Sequence, residues 1–147
     1  MTGDTEPPPP LWFDELALGA SAAEMRRASE WLDATCQQRG VPLVQVERLL
    51  LCLDEVLANV MTHGCRPAPT EPIAVRLEVD FGQARVTVSD ACKAFDPLSV
   101  PKRPQPKTLE EAAPGGLGLP LIRRCSDLLH YRHHDGRNHF TFGMRWM

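Results

Sequence analysis

The sequence predicts a two-layer α/β (α+β) sandwich in which helices cover one face of a mixed, largely antiparallel sheet. Three observations lead there. Two pairs of segments with alternating apolar and polar residues, each closed by a short turn, read as β-hairpins. Two segments near the start carry helical apolar periodicity. The order β-α-α-β-β-loop-α-β-β groups hairpins together, instead of alternating strand and helix one by one as a doubly wound parallel sheet does.

The chain of 147 residues is long enough for one domain with its own core and short for two. Apolar residues at 43% and charged residues at 24% exclude a wholly disordered or fibrous chain. The net charge of -3, from 16 basic and 19 acidic residues, lacks the basic excess of a primary nucleic-acid binder. No apolar run approaches the ~18 residues that span a bilayer. The acidic, proline-rich start MTGDTEPPPP is the opposite of a signal peptide. Neither nucleic acid nor a membrane is therefore expected as a partner. The five cysteines, at 36, 52, 65, 92 and 125, form an odd set with no CxxC pair. They read as thiols of a cytoplasmic protein rather than as a disulfide framework or a zinc site.

Residues 1–10, with four consecutive prolines, read as a disordered leader, and 11–147 as a single domain. LWFDELAL (11–18) offers a short strand. The segment 21–40 reads as a helix capped by Ser21, with Glu24 completing a capping box and Gly40 at its C-terminal end. A second helix is expected from about Pro42 to Gly64, with Val46, Leu49, Leu50, Leu53, Val56, Leu57 and Val60 facing a core. Segments 72–80 and 84–90 alternate around Phe81-Gly82-Gln83 and form the first hairpin. The stretch 97–116 holds five prolines and no periodicity, the pattern of a lid or a disordered segment. A helix is expected over 117–129, and a second hairpin turns at Asp135-Gly136.

Three segments carry candidate chemistry. Glu55, Asn59 and His63 stand at i, i+4 and i+8 and line one helical stripe, with Thr62 beside them. A solvated helix face explains the stripe, and so does a helix facing a cleft. In a cleft, a carboxylate serves as a base and an amide oxygen as a ligand for Mg²⁺. Asp90 falls where a strand ends, either as a ligand-binding carboxylate or as a turn residue bonded to its neighbouring backbone. Phe95 is a core or pocket-wall residue on both readings. Gly115, Gly116 and Gly118 precede a helix, whose free N–H groups suit phosphate, although a hinge needs the same glycines. This run is neither a P-loop nor a dinucleotide fingerprint. His130, His133, His134 and His139 surround the last hairpin, but neighbouring strand residues point to opposite faces, which argues against a shared metal.

Taken in order, these segments resemble the motifs of the GHKL (Bergerat-fold) ATPases. Glu55-Val-Leu-Ala-Asn59-Val-Met-Thr-His63-Gly64 is similar to the family's N box. Asp90-Ala-Cys-Lys-Ala-Phe95-Asp96-Pro97 resembles its first glycine box, and Gly116-Leu-Gly118-Leu its second. The short chain looks most like the stand-alone anti-sigma-factor serine/threonine kinases, over residues 11 to the end. The resemblance implies a histidine-kinase-like ATPase fold with ATP and Mg²⁺ as cofactors. It makes Glu55 the catalytic residue that orients or deprotonates the attacking hydroxyl, and Asn59 the metal ligand. Asp90 would accept a hydrogen bond from the adenine amino group, with Thr141 near the adenine. The amides around Gly116 and Gly118 would hold the phosphates beneath a lid at 97–115. Thr62, His63, Cys92, Phe95, Gly115, Leu117 and Leu119 fall within the boxes and join the nucleotide-binding set. One residue departs from the pattern, for Cys92 stands where the family has glycine. Family analogy also implies a homodimer, a sigma factor or other regulatory client, and a small antagonist protein as phosphoacceptor. A nucleotide-binding or purely protein-binding switch without kinase turnover is the second class of function that fits.

Overall fold

The computed structural model describes residues 10–64, 71–94, 96, 98 and 118–146. Five strands and three α-helices follow in the order β1 (Trp12–Leu18), α1 (Ala22–Gln38), α2 (Leu43–Asn59), β2 (Ile73–Asp80), β3 (Gln83–Asp90), α3 (Gly118–Cys125), β4 (Leu128–His134) and β5 (Arg137–Arg145). The sheet order is β1-β2-β3-β5-β4. All four pairings are antiparallel. Consecutive strands of each hairpin are neighbours, and β5 rather than β4 lies beside β3. That places the ends of β3 and β5 together at the centre of the sheet.

One face of this sheet is buried and the other is open. In β2 and β3 burial alternates strictly, with Ile73, Val75, Leu77, Ala84, Val86 and Val88 inward. β5 adds Phe140, Phe142 and Met144 to the same side. The helices cover it: α1 through Ala28, Leu32 and Cys36, and α2 through Val46, Leu49, Leu53, Val56 and Leu57. The i, i+4, i+8 and i, i+3, i+7 spacings of these residues are what a helical apolar stripe requires. The open face carries a polar ladder, in which Arg76 pairs with Glu15 at 2.7 Å and Arg85 with Asp80 at 2.9 Å.

Local chemistry explains the element ends. The Ser21 hydroxyl accepts from the Glu24 amide at 3.1 Å, the first half of the expected capping box. Glu24 reaches back two residues further than a standard box, its Oε1 accepting from the Gly19 amide at 3.2 Å. Gly40, at φ +75°, ends α1 in a Schellman pattern: its N–H donates to Gln37 and that of Val41 to Cys36. Asp135 and Gly136 both take positive φ, as a two-residue type I′ hairpin turn demands.

Three expectations need correction. Pro42 is the N-cap of α2 rather than a first-turn residue. The α-helix stops at Asn59 and continues as a single π-helical turn over Val60–Gly64. The third helix ends at Cys125, four residues early, because Leu128 and Leu129 open β4 and pair with Gly143 and Phe142. Pairing with β5 outweighs the helical tendency of those leucines. The 1–9 part of the leader, and 97–116 apart from Leu98, lie outside the described residues.

Phe142, on β5 under the helices, is fully buried, while Phe81 in the first hairpin turn is 88% exposed. Phe142→Ala should cost ~3–5 kcal/mol, and Phe81→Ala less than ~0.5 kcal/mol. Urea titrations of the two variants measure both, and similar losses would contradict the inward direction of β5.

Candidate functional site

The inner end of β3 holds a small polar network inside the otherwise apolar layer. Asp90 is 6% exposed and faces Asn138, its register partner on β5, which is equally buried. The Asn138 Nδ2 donates to Asp90 Oδ1 at 2.9 Å. It also reaches the carbonyls of Cys92 at 3.2 Å and Lys93 at 3.1 Å. The Tyr131 hydroxyl, from β4, donates to Asn138 Oδ1. The Cys92 amide supplies the second bond to Asp90 Oδ1, at 3.0 Å. A buried carboxylate needs such donors, since an unpaired one loses its hydration without return.

These bonds converge on one carboxylate oxygen. Asp90 Oδ2 receives no hydrogen bond from the described residues, and no described buried side-chain oxygen is both sealed from solvent and unpartnered. Oδ2 is therefore an oriented, solvent-reached acceptor whose partner oxygen is held from two sides. The turn-forming role foreseen for Asp90 is real, and it leaves a second oxygen for a ligand donor.

The helical candidates lie on α2. Glu55 and Asn59 are both half-buried and one helical step apart, so they share a stripe. The step from Asn59 to His63 crosses into the π turn, where i→i+5 bonding replaces i→i+4. The regular α-helical part of the stripe drawn from the sequence therefore covers Glu55 and Asn59. Thr62, in the π turn, is exposed. α3 packs against α2, buries Ile122, and is tied to it where Cys52 Sγ meets Ser126 Oγ at 3.6 Å. Gly118 and Leu119 form the first turn of α3, whose leading amides lack helical acceptors. Leu98 is fastened at both ends: its amide donates to Asp96 Oδ1 at 2.8 Å and its carbonyl accepts from Arg123 at 3.0 Å. Phe95, Gly115, Gly116 and Leu117 lie outside the described residues.

Thr141 stands elsewhere than expected. It pairs with Thr87 on the open face, their hydroxyls 2.8 Å apart, while Asp90 and Asn138 face the helices. Successive strand residues point to opposite faces, so an odd offset from Asn138 cannot bring a side chain to Asp90. Asn138 occupies the position opposite the carboxylate, and sequence reasoning missed it. An asparagine two residues after a turn reads as an ordinary hairpin residue; only the β3–β5 register would have marked it.

Cys92 also differs from expectation. It is buried and disulfide-bonded, so the reading of five free thiols is corrected. It is not among the described residues with positive φ, so replacing glycine here imposes no left-handed strain.

Asn138→Ala would remove one of the two donors to Asp90 Oδ1 and the acceptor that Asn138 Oδ1 offers to the Tyr131 hydroxyl. The expected cost is ~1–3 kcal/mol, or ~2–4 °C in Tm per kcal/mol for a chain of this size. Thermal unfolding followed by circular dichroism checks it. An unchanged Tm would mean that the amide does not hold the carboxylate.

Comparison with known proteins places this architecture. Residues 18–144 match the family model of the histidine kinase-like ATPase domain. The chain is 30% identical over 128 residues to the serine/threonine-protein kinase BtrW of Bordetella bronchiseptica, covering 87% of this chain and 90% of that protein. It superposes on the structure of the RsbU and RsbW domains of Rv1364c from Mycobacterium tuberculosis with a TM-score of 0.66 and 16% identity. That match covers 92% of this chain and 33% of the longer one. The SiaB–SiaC complex from Pseudomonas aeruginosa gives a TM-score of 0.56 at 14% identity, covering 89% and 88%. At these identities the two structures speak for the fold alone, the same α+β layering of helices on a five-stranded sheet. The family model spans all five strands from the end of β1 and all three helices, and the chain belongs to the histidine kinase-like ATPase domain family.

Proposed function

We propose that the chain is an ATP-dependent protein serine/threonine kinase of the anti-sigma-factor type. In this reading it binds a regulatory client, such as a sigma factor, and phosphorylates a small antagonist protein, working as a homodimer in the cytoplasm. No described helix is long and apolar enough to cross a membrane. Family membership and the kinase name of the BtrW relative support an ATP-using phosphotransferase. The SiaB–SiaC neighbour, a two-protein complex, is in keeping with a protein partner.

The observation that carries the reading is Asp90. A buried carboxylate with one oxygen pinned and the other open is suited to accept from the exocyclic amine of adenine. The half-buried Asn59 offers a neutral carbonyl oxygen, the donor type Mg²⁺ prefers, so the residues present fit that cation. When bound, Mg²⁺ would neutralise charge on the transferring phosphate. The chain's own residues do the remainder. Glu55 would accept the proton of a serine or threonine hydroxyl while that oxygen bonds to the γ-phosphorus and the bond to ADP breaks. The first-turn amides of α3 would meet phosphate oxygens.

Binding and catalysis should separate between Asp90 and Glu55. Asp90→Asn turns a fixed acceptor into a mixed donor and acceptor, and should abolish or severely weaken Mg-ATP binding in calorimetry. Glu55→Gln should keep the ATP affinity and lower phosphotransfer to a co-purified acceptor by ~10²–10⁴-fold. Unchanged transfer by Glu55→Gln would remove that residue from the mechanism. No Mg-ATP binding by the unmodified chain would move the assignment to a protein-binding switch.

Asn59→Ala should weaken Mg-ATP far more than metal-free ATP, because it deletes a metal ligand and leaves the adenine contact in place. Titrations with and without Mg²⁺ compare the two, and equal losses would count against Asn59 as the ligand.

A further inference from the structure

Arg137 opens β5 directly after the Asp135-Gly136 turn, and its guanidinium reaches across the ends of two neighbouring strands. Nη1 pairs with Glu71 Oε2 at 3.2 Å. Nη2 donates to the carbonyl of Pro72 at 3.2 Å and to that of Ser89 at 3.1 Å. The β2–β3 ladder stops at Ala74↔Ser89, whereas β3 and β5 stay paired through Asp90↔Asn138. β2 thus offers Asp90 no register partner, and the Arg137 fork joins the two strands at that end. The Glu71 carboxylate is 62% exposed, so its ion pair adds little. The two carbonyl contacts are charge-assisted and come from a planar, rigid donor.

The Ser89 carbonyl belongs to the same planar peptide group as the Asp90 amide. Fixing that oxygen fixes the start of Asp90, while the Cys92 and Asn138 amides hold its Oδ1 from the other end. Resting on the nucleotide reading above, we propose that Arg137 is a positioning residue for base selection, which aims Asp90 Oδ2 at the amine of adenine. Arg137 acts through the backbone of β3 and not by touching the base. Its loss lets the residue turn about the strand end, so the acceptor no longer meets one particular donor. The contact that distinguishes adenine from other purines is then weakened, and contacts to phosphate and metal are not.

The test uses the full chain and two readouts. Calorimetry with Mg²⁺ compares ATP with inosine triphosphate, whose base carries a carbonyl oxygen where adenine carries the amine and so sets an acceptor against Oδ2. Amide hydrogen exchange at Cys92, whose N–H donates to Asp90 Oδ1, reads the hold on the carboxylate with no nucleotide present. The unmodified chain should prefer ATP. Arg137→Gln should lower that preference about tenfold and speed exchange at Cys92. Arg137→Lys keeps the charge, loses the fork and should fall between the two. If Arg137→Gln does not fold, Arg137→Lys carries both readouts. Glu71→Gln removes only the exposed ion pair and should change neither. An arginine that merely stabilised the fold would weaken both nucleotides alike and leave the preference intact. An unchanged preference in the Arg137 variants overturns the role in base selection, and unchanged exchange at Cys92 overturns the clamp. An unmodified chain that binds neither nucleotide, or both equally, overturns the adenine reading of Asp90 and leaves the clamp to stand or fall on exchange alone.

Discussion

The side-chain amide of Asn138 grips Asp90 and the backbone after it, and the geometry of the site depends on that grip. Three acceptors share this amide: the carboxylate of Asp90 and the carbonyls of Cys92 and Lys93. Its own oxygen is occupied by the Tyr131 hydroxyl. Strands β3, β4 and β5 thus meet in one buried polar cluster at the end of the sheet. The surrounding apolar layer makes each of these bonds worth more than it would be in water, and makes a missing one costly. Both donors meet Oδ1, and the second carboxylate oxygen receives none from the described residues.

The rest of the architecture packs helices on the same face of the sheet. The sheet is closed on one face only, and α2 lies on it with Val46, Leu49, Leu53, Val56 and Leu57 buried. This packing sets the rotation of α2 about its axis and leaves Glu55 and Asn59 half-buried beside the core stripe. The π turn begins one residue after Asn59. Single π turns inside helices recur at functional sites because the extra residue changes direction without breaking the chain of hydrogen bonds. Here the change falls between the stripe and Thr62.

Much of this was legible from residue order. The element sequence, the cap at Ser21, the Gly40 stop and the Asp135-Gly136 turn rest on interactions within a few residues. The core face of α2 follows from apolar spacing alone. Leu128 and Leu129 show the limit: their local pattern extends a helix, but a partner strand was available and took them. Thr141 shows a sharper one. Its proximity in sequence to Asn138 says nothing of face, and a parity of one residue moved it to the open side of the sheet.

What the sequence by itself determined was the class of fold, the order of its elements and the types of residue at the site. Glu55, Asn59 and Asp90 stood out as candidates because helical spacing and strand ends are local properties, governed by a period that the chain carries within itself. Only the tertiary structure decided who completes the site. Asn138 lies 48 residues from Asp90, and their pairing follows from the choice of β5 as the neighbour of β3. That choice is made by burial of Phe140, Phe142 and Met144 against the helices, a sum over many distant contacts.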